Sequence, residues 1–130
     1  MRNILKIMFC TLFVVSMGSC EDILEVVDIS DEPVVLLAPA EGVIVTDSLV
    51  SFNWNGIDEA DAYLIQVATP SFENASQILL DSVMVIDSTF QGTRISKVLS
   101  NNDYQWRVQA YNSGYQTEFS THTFSVSNTD

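Results

Sequence analysis

The feature that most constrains the fold is an alternation of apolar and polar residues with a period of two. Val50, Phe52 and Trp54 alternate with Ser51, Asn53 and Asn55, and Tyr63, Ile65 and Val67 with Leu64 and Gln66. Tyr104, Trp106, Val108 and Ala110 alternate with Gln105, Arg107 and Gln109, and Phe124 and Val126 with Thr123 and Ser125. Such runs are strands with one buried and one wet face. Turn formers separate them: Pro39-Ala40-Glu41-Gly42, Asn55-Gly56, Thr69-Pro70, Asn101-Asn102-Asp103 and Asn112-Ser113-Gly114. No stretch offers a helical stripe longer than two turns. Short strands at this spacing predict an all-β protein, a seven-stranded antiparallel β-sandwich over residues 34–127.

The first 33 residues follow other rules. Arg2 and Lys6 precede an apolar run from Ile7 to Val15, and Ser16-Met17-Gly18-Ser19 leads into Cys20. A basic start, a short apolar stretch and a small-residue exit form a secretory signal. The fourteen uncharged residues between Lys6 and Glu21 are too few for a spanning helix, which needs about twenty. Placed directly after Gly18-Ser19, Cys20 makes the segment resemble a bacterial lipoprotein signal, cut before a cysteine that receives diacylglycerol. That resemblance implies a signal peptide over 1–19, lipidation at Cys20, and attachment to the outer membrane or cell surface. Phe9 before Cys10 disqualifies Cys10 from the same role. Residues 21–33, with six acids and a closing proline, read as a tether from the anchor. Glu21-Asp22 resembles an acidic surface-export signal used in one lineage of Gram-negative bacteria.

Charge excludes whole classes of partner. Removing Arg2 and Lys6 with the signal takes the net charge from −12 to −14, leaving Arg94, Lys97 and Arg107 against 17 acids. Nucleic acid requires clustered basic residues, and anionic lipid surfaces attract them. Neither is an expected partner. With Cys10 removed and Cys20 acylated no thiol remains, so the sandwich stands on its apolar core alone.

The order of motifs resembles the fibronectin type III family across residues 34–127. It is carried by Leu37-Ala38-Pro39, Val50-Ser51-Phe52-Asn53-Trp54, Ala62-Tyr63-Leu64-Ile65-Gln66-Val67, and Leu99 followed by Tyr104 to Asn112. The resemblance implies that Trp54 is the core tryptophan of the second strand and that Tyr104 is the tyrosine of the corner that closes onto backbone. Phe119-Ser120 stands where many members have Trp-Ser. A lipoprotein start before such a domain also resembles outer-membrane glycan-utilisation lipoproteins, although the sequence stops at Asp130 without the carbohydrate-binding domains those proteins append.

Catalytic candidates are few. His122 is the only histidine, has neither a second histidine nor a cysteine nearby, and is expected on the solvent side of the last strand. Asp58, Glu59 and Asp61 lack EF-hand spacing and read as a solvated loop. No cofactor, metal or enzymatic activity is expected. Gln66, Gln105, Arg107, Gln109 and Tyr111 would share one sheet face, where amides, a guanidinium and a ring can grip a peptide or a sugar, with Tyr115 nearby. Asp47-Ser48-Leu49, Asp81-Ser82-Val83 and Asp87-Ser88-Thr89 resemble extracytoplasmic O-glycosylation acceptors. The expected role is a lipid-anchored, non-enzymatic binding or structural module with an envelope protein partner. The alternative is a glycan-binding accessory lipoprotein of a polysaccharide-uptake system. In the expected topology the tether enters beside Asn55 to Asp61 and Asn112 to Thr117, and Glu41 to Asp47, Thr69 to Asn74 and Ser100 to Asp103 point outward.

Overall fold

In the computed structural model, residues 25–87 and 92–129 are described. The signal segment, Cys20, Glu21-Asp22, Ser88 and Thr89 lie outside them. The described residues form eight strands and no helix: β1 (Leu36–Ala38), β2 (Val43–Val45), β3 (Leu49–Trp54), β4 (Ala62–Thr69), β5 (Gln77–Val85), β6 (Arg94–Val98), β7 (Asn102–Tyr111) and β8 (Ser120–Val126). They build two sheets, ordered β1-β3-β6 and β2-β8-β7-β4-β5. The protein is the expected all-β sandwich of fibronectin type III-like form.

The strand count is eight rather than seven because the first strand is split. β1 pairs antiparallel with β3 in one sheet, and β2 pairs parallel with β8 in the other. Pro39 lies at the break. It has no N–H to give a ladder, and Gly42, at φ 77°, completes the turn with Val43 N–H donating to Ala40 O at 3.2 Å. The chain thus steps from one sheet to the other across the four residues between Ala38 and Val43.

The alternation fixes which side chains enter the core. Val50, Phe52 and Trp54 from β3 meet Tyr63, Ile65 and Val67 from β4, Tyr104, Trp106 and Val108 from β7, and Phe124 and Val126 from β8. Phe52 lies edge-on to Trp106 and to Phe124, with ring centroids 5.1 and 5.8 Å apart, and Trp54 is edge-on to Tyr63 at 5.6 Å. Such aromatic pairs add to the gain from burial. The Tyr104 hydroxyl donates to Ser100 O at 2.6 Å, which is the expected tyrosine corner. Its turn is shorter than the Asn101-Asn102-Asp103 signal implied, because Asn102 already pairs with Val126.

Two expectations are corrected. His122 does not face solvent: it has the same strand parity as Phe124 and Val126, is half-buried, and lies edge-on to Trp106 at 6.3 Å. Its Nδ1 is 3.3 Å from Pro39 O, the carbonyl that accepts from Trp106 Nε1 at 3.0 Å. The other concerns the segment read as tether, which touches the core at one of its described residues. Ile29 is 1 % exposed and joins the core cluster, since an apolar side chain five residues ahead of Val34 still reaches the sandwich.

Trp54 and Trp106 are both buried, so truncating either to Ala should cost about 3–5 kcal/mol. Tyr104→Phe should cost about 1 kcal/mol, because it removes one hydrogen bond and keeps the ring. Urea denaturation of the three variants measures both, and an equal loss for Tyr104→Phe and the tryptophan variants would contradict this division of roles.

Candidate functional site

The outer face of the five-stranded sheet carries the polar residues picked out by the sequence. β4 and β7 are neighbours in a register that sets Gln66 beside Arg107 and Leu64 beside Gln109, and β5 adds Asp81 opposite Gln66. One row therefore runs across four strands: Thr121 on β8, Arg107, Gln66 and Asp81. Arg107 Nε donates to Gln66 Oε1 at 2.8 Å, and Gln66 Nε2 donates to Asp81 Oδ1 at 3.2 Å.

Two rings hold the guanidinium. The Arg107 Cζ lies 3.9 Å from the Phe72 ring centroid and 4.2 Å from that of Phe119, well inside the range for cation–π attraction. Burial between these groups lowers the Arg107 pKa, and the nearby Asp81 carboxylate opposes that shift. Phe72 is itself fixed, its N–H donating to Gln105 Oε1 at 2.9 Å, while Gln105 Nε2 donates to Thr123 Oγ1 at 3.3 Å. Gln109 Nε2 donates to Thr117 O at 2.9 Å. The amides of Gln66, Gln105 and Gln109 are thus bonded within the molecule.

Tyr111 and Tyr115 stand apart from this row. Tyr111 is half-buried at the end of β7, its carbonyl accepting from Asp61 N–H at 2.9 Å. Tyr115 is 40 % exposed in the β7–β8 turn and lines a shallow hollow with Glu25, Val26, Val27 and Asp28. Asn112 organises that end. Its Nδ2 donates to Val27 O at 2.9 Å and Glu59 O at 3.2 Å, and its Oδ1 accepts from Gly114 N and Tyr115 N at 3.0 and 2.8 Å. The N-terminal segment therefore meets the domain beside Asn55 to Asp61 and Asn112 to Thr117, as the topology implied.

That segment has its own turn. Asp28 Oδ1 accepts from Ser30 N–H at 2.9 Å and Ser30 Oγ at 2.6 Å, and Glu32 N–H donates to Ile29 O at 3.0 Å. The Ser30 hydrogen bonds lower the Asp28 pKa. A depressed carboxylate contributes above its ordinary value, so these two hydrogen bonds support the turn at neutral pH and that support fades as the pH falls through the folded-state pKa.

Sequence reasoning missed Asp81, Phe72, Phe119 and Asn112 as partners. Asp81 sits in an unbroken strand pattern, and only the β4–β5 register brings it to Gln66. Asn112 carried a turn signal but none for its contact with Val27, 85 residues away. Among the described residues, no three or more His, Cys, Asp or Glu are grouped so that they could hold a metal ion.

Comparison with known proteins bears on the fold. No family model matches the chain, and no curated protein sequence matches it. Among solved structures the chain is similar to FN3tt, with a TM-score of 0.50 and 14 % identity over 72 % of this chain and 94 % of that one. It is also similar to CopC from Methylosinus trichosporium OB3b, with a TM-score of 0.48 and 12 % identity over 75 % and 96 % of the two chains. The likeness to FN3tt shows a shared β-sandwich fold.

Asn112→Ala should free the chain ahead of Ile29 while leaving the sandwich folded. Hydrogen exchange should then accelerate at Gly114 and Tyr115, with the β7 amides of Tyr104 to Val108 unchanged. Equal acceleration in both places would show that Asn112 supports the whole fold rather than one end of it. The chain is thus a fibronectin type III-like sandwich with its N-terminal segment fastened to one end.

Proposed function

We propose that the chain is a lipid-anchored, extracytoplasmic binding and structural module of a bacterial envelope complex, attached to the outer membrane or cell surface through Cys20. It acts by presenting a rigid sandwich to a protein partner and carries out no chemistry. The observation that carries this reading is where exposed apolar side chains lie. Ile78, Val83 and Val85 project from β5, and Leu37, Ile44 and Val98 from β1, β2 and β6, the four strands that end the two sheets. Exposed apolar surface concentrated along sheet margins supports contact with another protein. The three amides that would grip a saccharide are held in internal hydrogen bonds, and the Phe72 and Phe119 rings lie against Arg107.

The signal-like segment supplies the anchor in this reading. Each buried methylene contributes about 0.8 kcal/mol, so two or three acyl chains give essentially permanent attachment. With the N-terminal segment fastened at Asn112, Tyr115 lies at the membrane-proximal end and Phe72 at the far end.

Detergent-phase partitioning tests the anchor: the processed protein should enter the detergent phase and Cys20→Ala should not. A Cys20→Ala protein that still partitions as a mature lipoprotein removes the anchor from the reading. Photocrosslinkers in cells test the presentation. Integral-membrane proteins should be captured from position 115 rather than position 72, and capture only from Phe72 would reverse the orientation. Titration with glycans discriminates the remaining role, since saccharide binding weakened by Tyr111→Ala would make the chain a glycan-binding accessory instead.

A further inference from the structure

β5 is an edge strand without the usual protection. It runs for nine residues, and among the described residues its only sheet neighbour is β4. An edge strand offers half its backbone N–H and C=O groups to whatever comes alongside. Proteins blunt such edges with lysine, proline or bulges. Gln77–Val85 contains no Lys, Arg or Pro, and its one irregularity, at Val67/Ala68 of the β4 register, falls near its start. Leu80–Val85 remains regular, and no described strand pairs with its outer edge. Val83 and Val85 stand on its outer face at 55 % and 58 % exposure, and Asp81 is the single charge.

Asp81 occupies a prepared position. It ends the row that starts at Thr121 and passes through Arg107 and Gln66, with Gln66 Nε2 held on its Oδ1. Arg107 is clamped between Phe72 and Phe119, so the row is braced from behind. The next place along it, about 4.8 Å further, belongs to a strand that would lie beside β5.

We propose that β5 takes up an extended segment of a partner protein as a sixth strand, with a basic side chain opposite Asp81 and apolar side chains opposite Val83 and Val85. This rests on the binding-module reading above and names its site and the chemistry of its partner. Read along an antiparallel partner, the outward side chains run apolar, apolar, basic at every second residue. Main-chain hydrogen bonds supply affinity in this mode, and alternate side chains supply specificity.

Charge argues against a second copy of this chain in that place. Antiparallel self-pairing centred on Asp81 sets that carboxylate against its own counterpart, in molecules that each carry a net charge of −12 over the full sequence. Centring the pair on Ser82 instead sets each Asp81 opposite a Val83. Both registers bring carboxylates together or leave them unpaired, and like charges opposite one another destabilise a sheet. A basic residue from another protein resolves both problems.

The test uses the full processed protein in detergent micelles and the synthetic peptide Thr-Val-Thr-Val-Thr-Arg-Thr, with a second peptide carrying Glu in place of Arg. Isothermal titration should show the Arg peptide binding about five- to tenfold more tightly than the Glu peptide. Hydrogen exchange should gain protection within Leu80–Val85. Asp81→Lys should reverse the preference, with unchanged tryptophan fluorescence reporting an intact core. Equal binding of the two peptides, or protection that falls elsewhere, overturns the proposal. So does a dimer in sedimentation that Val83→Lys dissociates, because the edge would then belong to a second copy. If the in-cell crosslinks identify a partner while the peptide leaves β5 untouched, this inference fails and the module reading stands. If the anchor and the crosslinks fail while the peptide binds, the reverse holds.

Discussion

The carbonyl of Pro39 is the point on which the architecture turns. It accepts a buried hydrogen bond from Trp106 Nε1, 67 residues away, and stands 3.3 Å from His122 Nδ1. An indole N–H buried without an acceptor costs about 1–3 kcal/mol, so the largest core side chain of β7 depends on where the first strand breaks. The break lets one short segment belong to both sheets, β1 to the three-stranded sheet and β2 to the five-stranded one. Trp106 then packs against Phe52 and Trp54 across the interior. The position of Pro39 and the packing of the aromatic centre are one constraint.

That constraint makes the two sides of the sandwich unequal. On one side β1 and β2 are consecutive pieces of chain that bridge the sheets at their margin. On the other, β5 ends one sheet and β6 the other, and β5 is the longer of the two. The outer row on the five-stranded sheet is polarised in the same direction. Its cation sits over the middle strands between two rings, and its anion sits at the open margin. Trp54 Nε1, by contrast, is buried with no hydrogen-bond partner among the described residues.

Much of this was legible in the residues because strand parity is a local property. The inward set from Val50 to Val126 and the outward face bearing Gln66 and Arg107 follow from counting in twos, whereas the tyrosine corner at Tyr104 rests on the family resemblance. His122 was misplaced although the same count, carried back from Phe124, turns it inward. A histidine's polarity argues for the wet face against that parity, and the Pro39 carbonyl beside the imidazole has no sequence signal. The split first strand was hidden for a different reason. Pro39 and Gly42 mark a turn, but nothing local says that the chain beyond it joins another sheet. The clamp of Phe72 and Phe119 on Arg107 is a long-range contact between a loop, a strand and a strand approach, and no period encodes it. Ile29 was masked by its setting, one apolar residue among the acids that read as tether.

The fastening of the N-terminal segment has a mechanical consequence. A pull on the chain ahead of residue 25 meets the Val27–Asn112 hydrogen bond and the buried Ile29 side chain before it reaches the β1–β3 ladder. These contacts form a weak first stage in series with a strong second one. Releasing them lets out the chain between Val27 and Val34, about 24 Å when fully drawn, before the buried Val34 side chain and the Asn55 N–H to Val35 O hydrogen bond are reached. Tension entering through that segment is met there before it reaches the aromatic core.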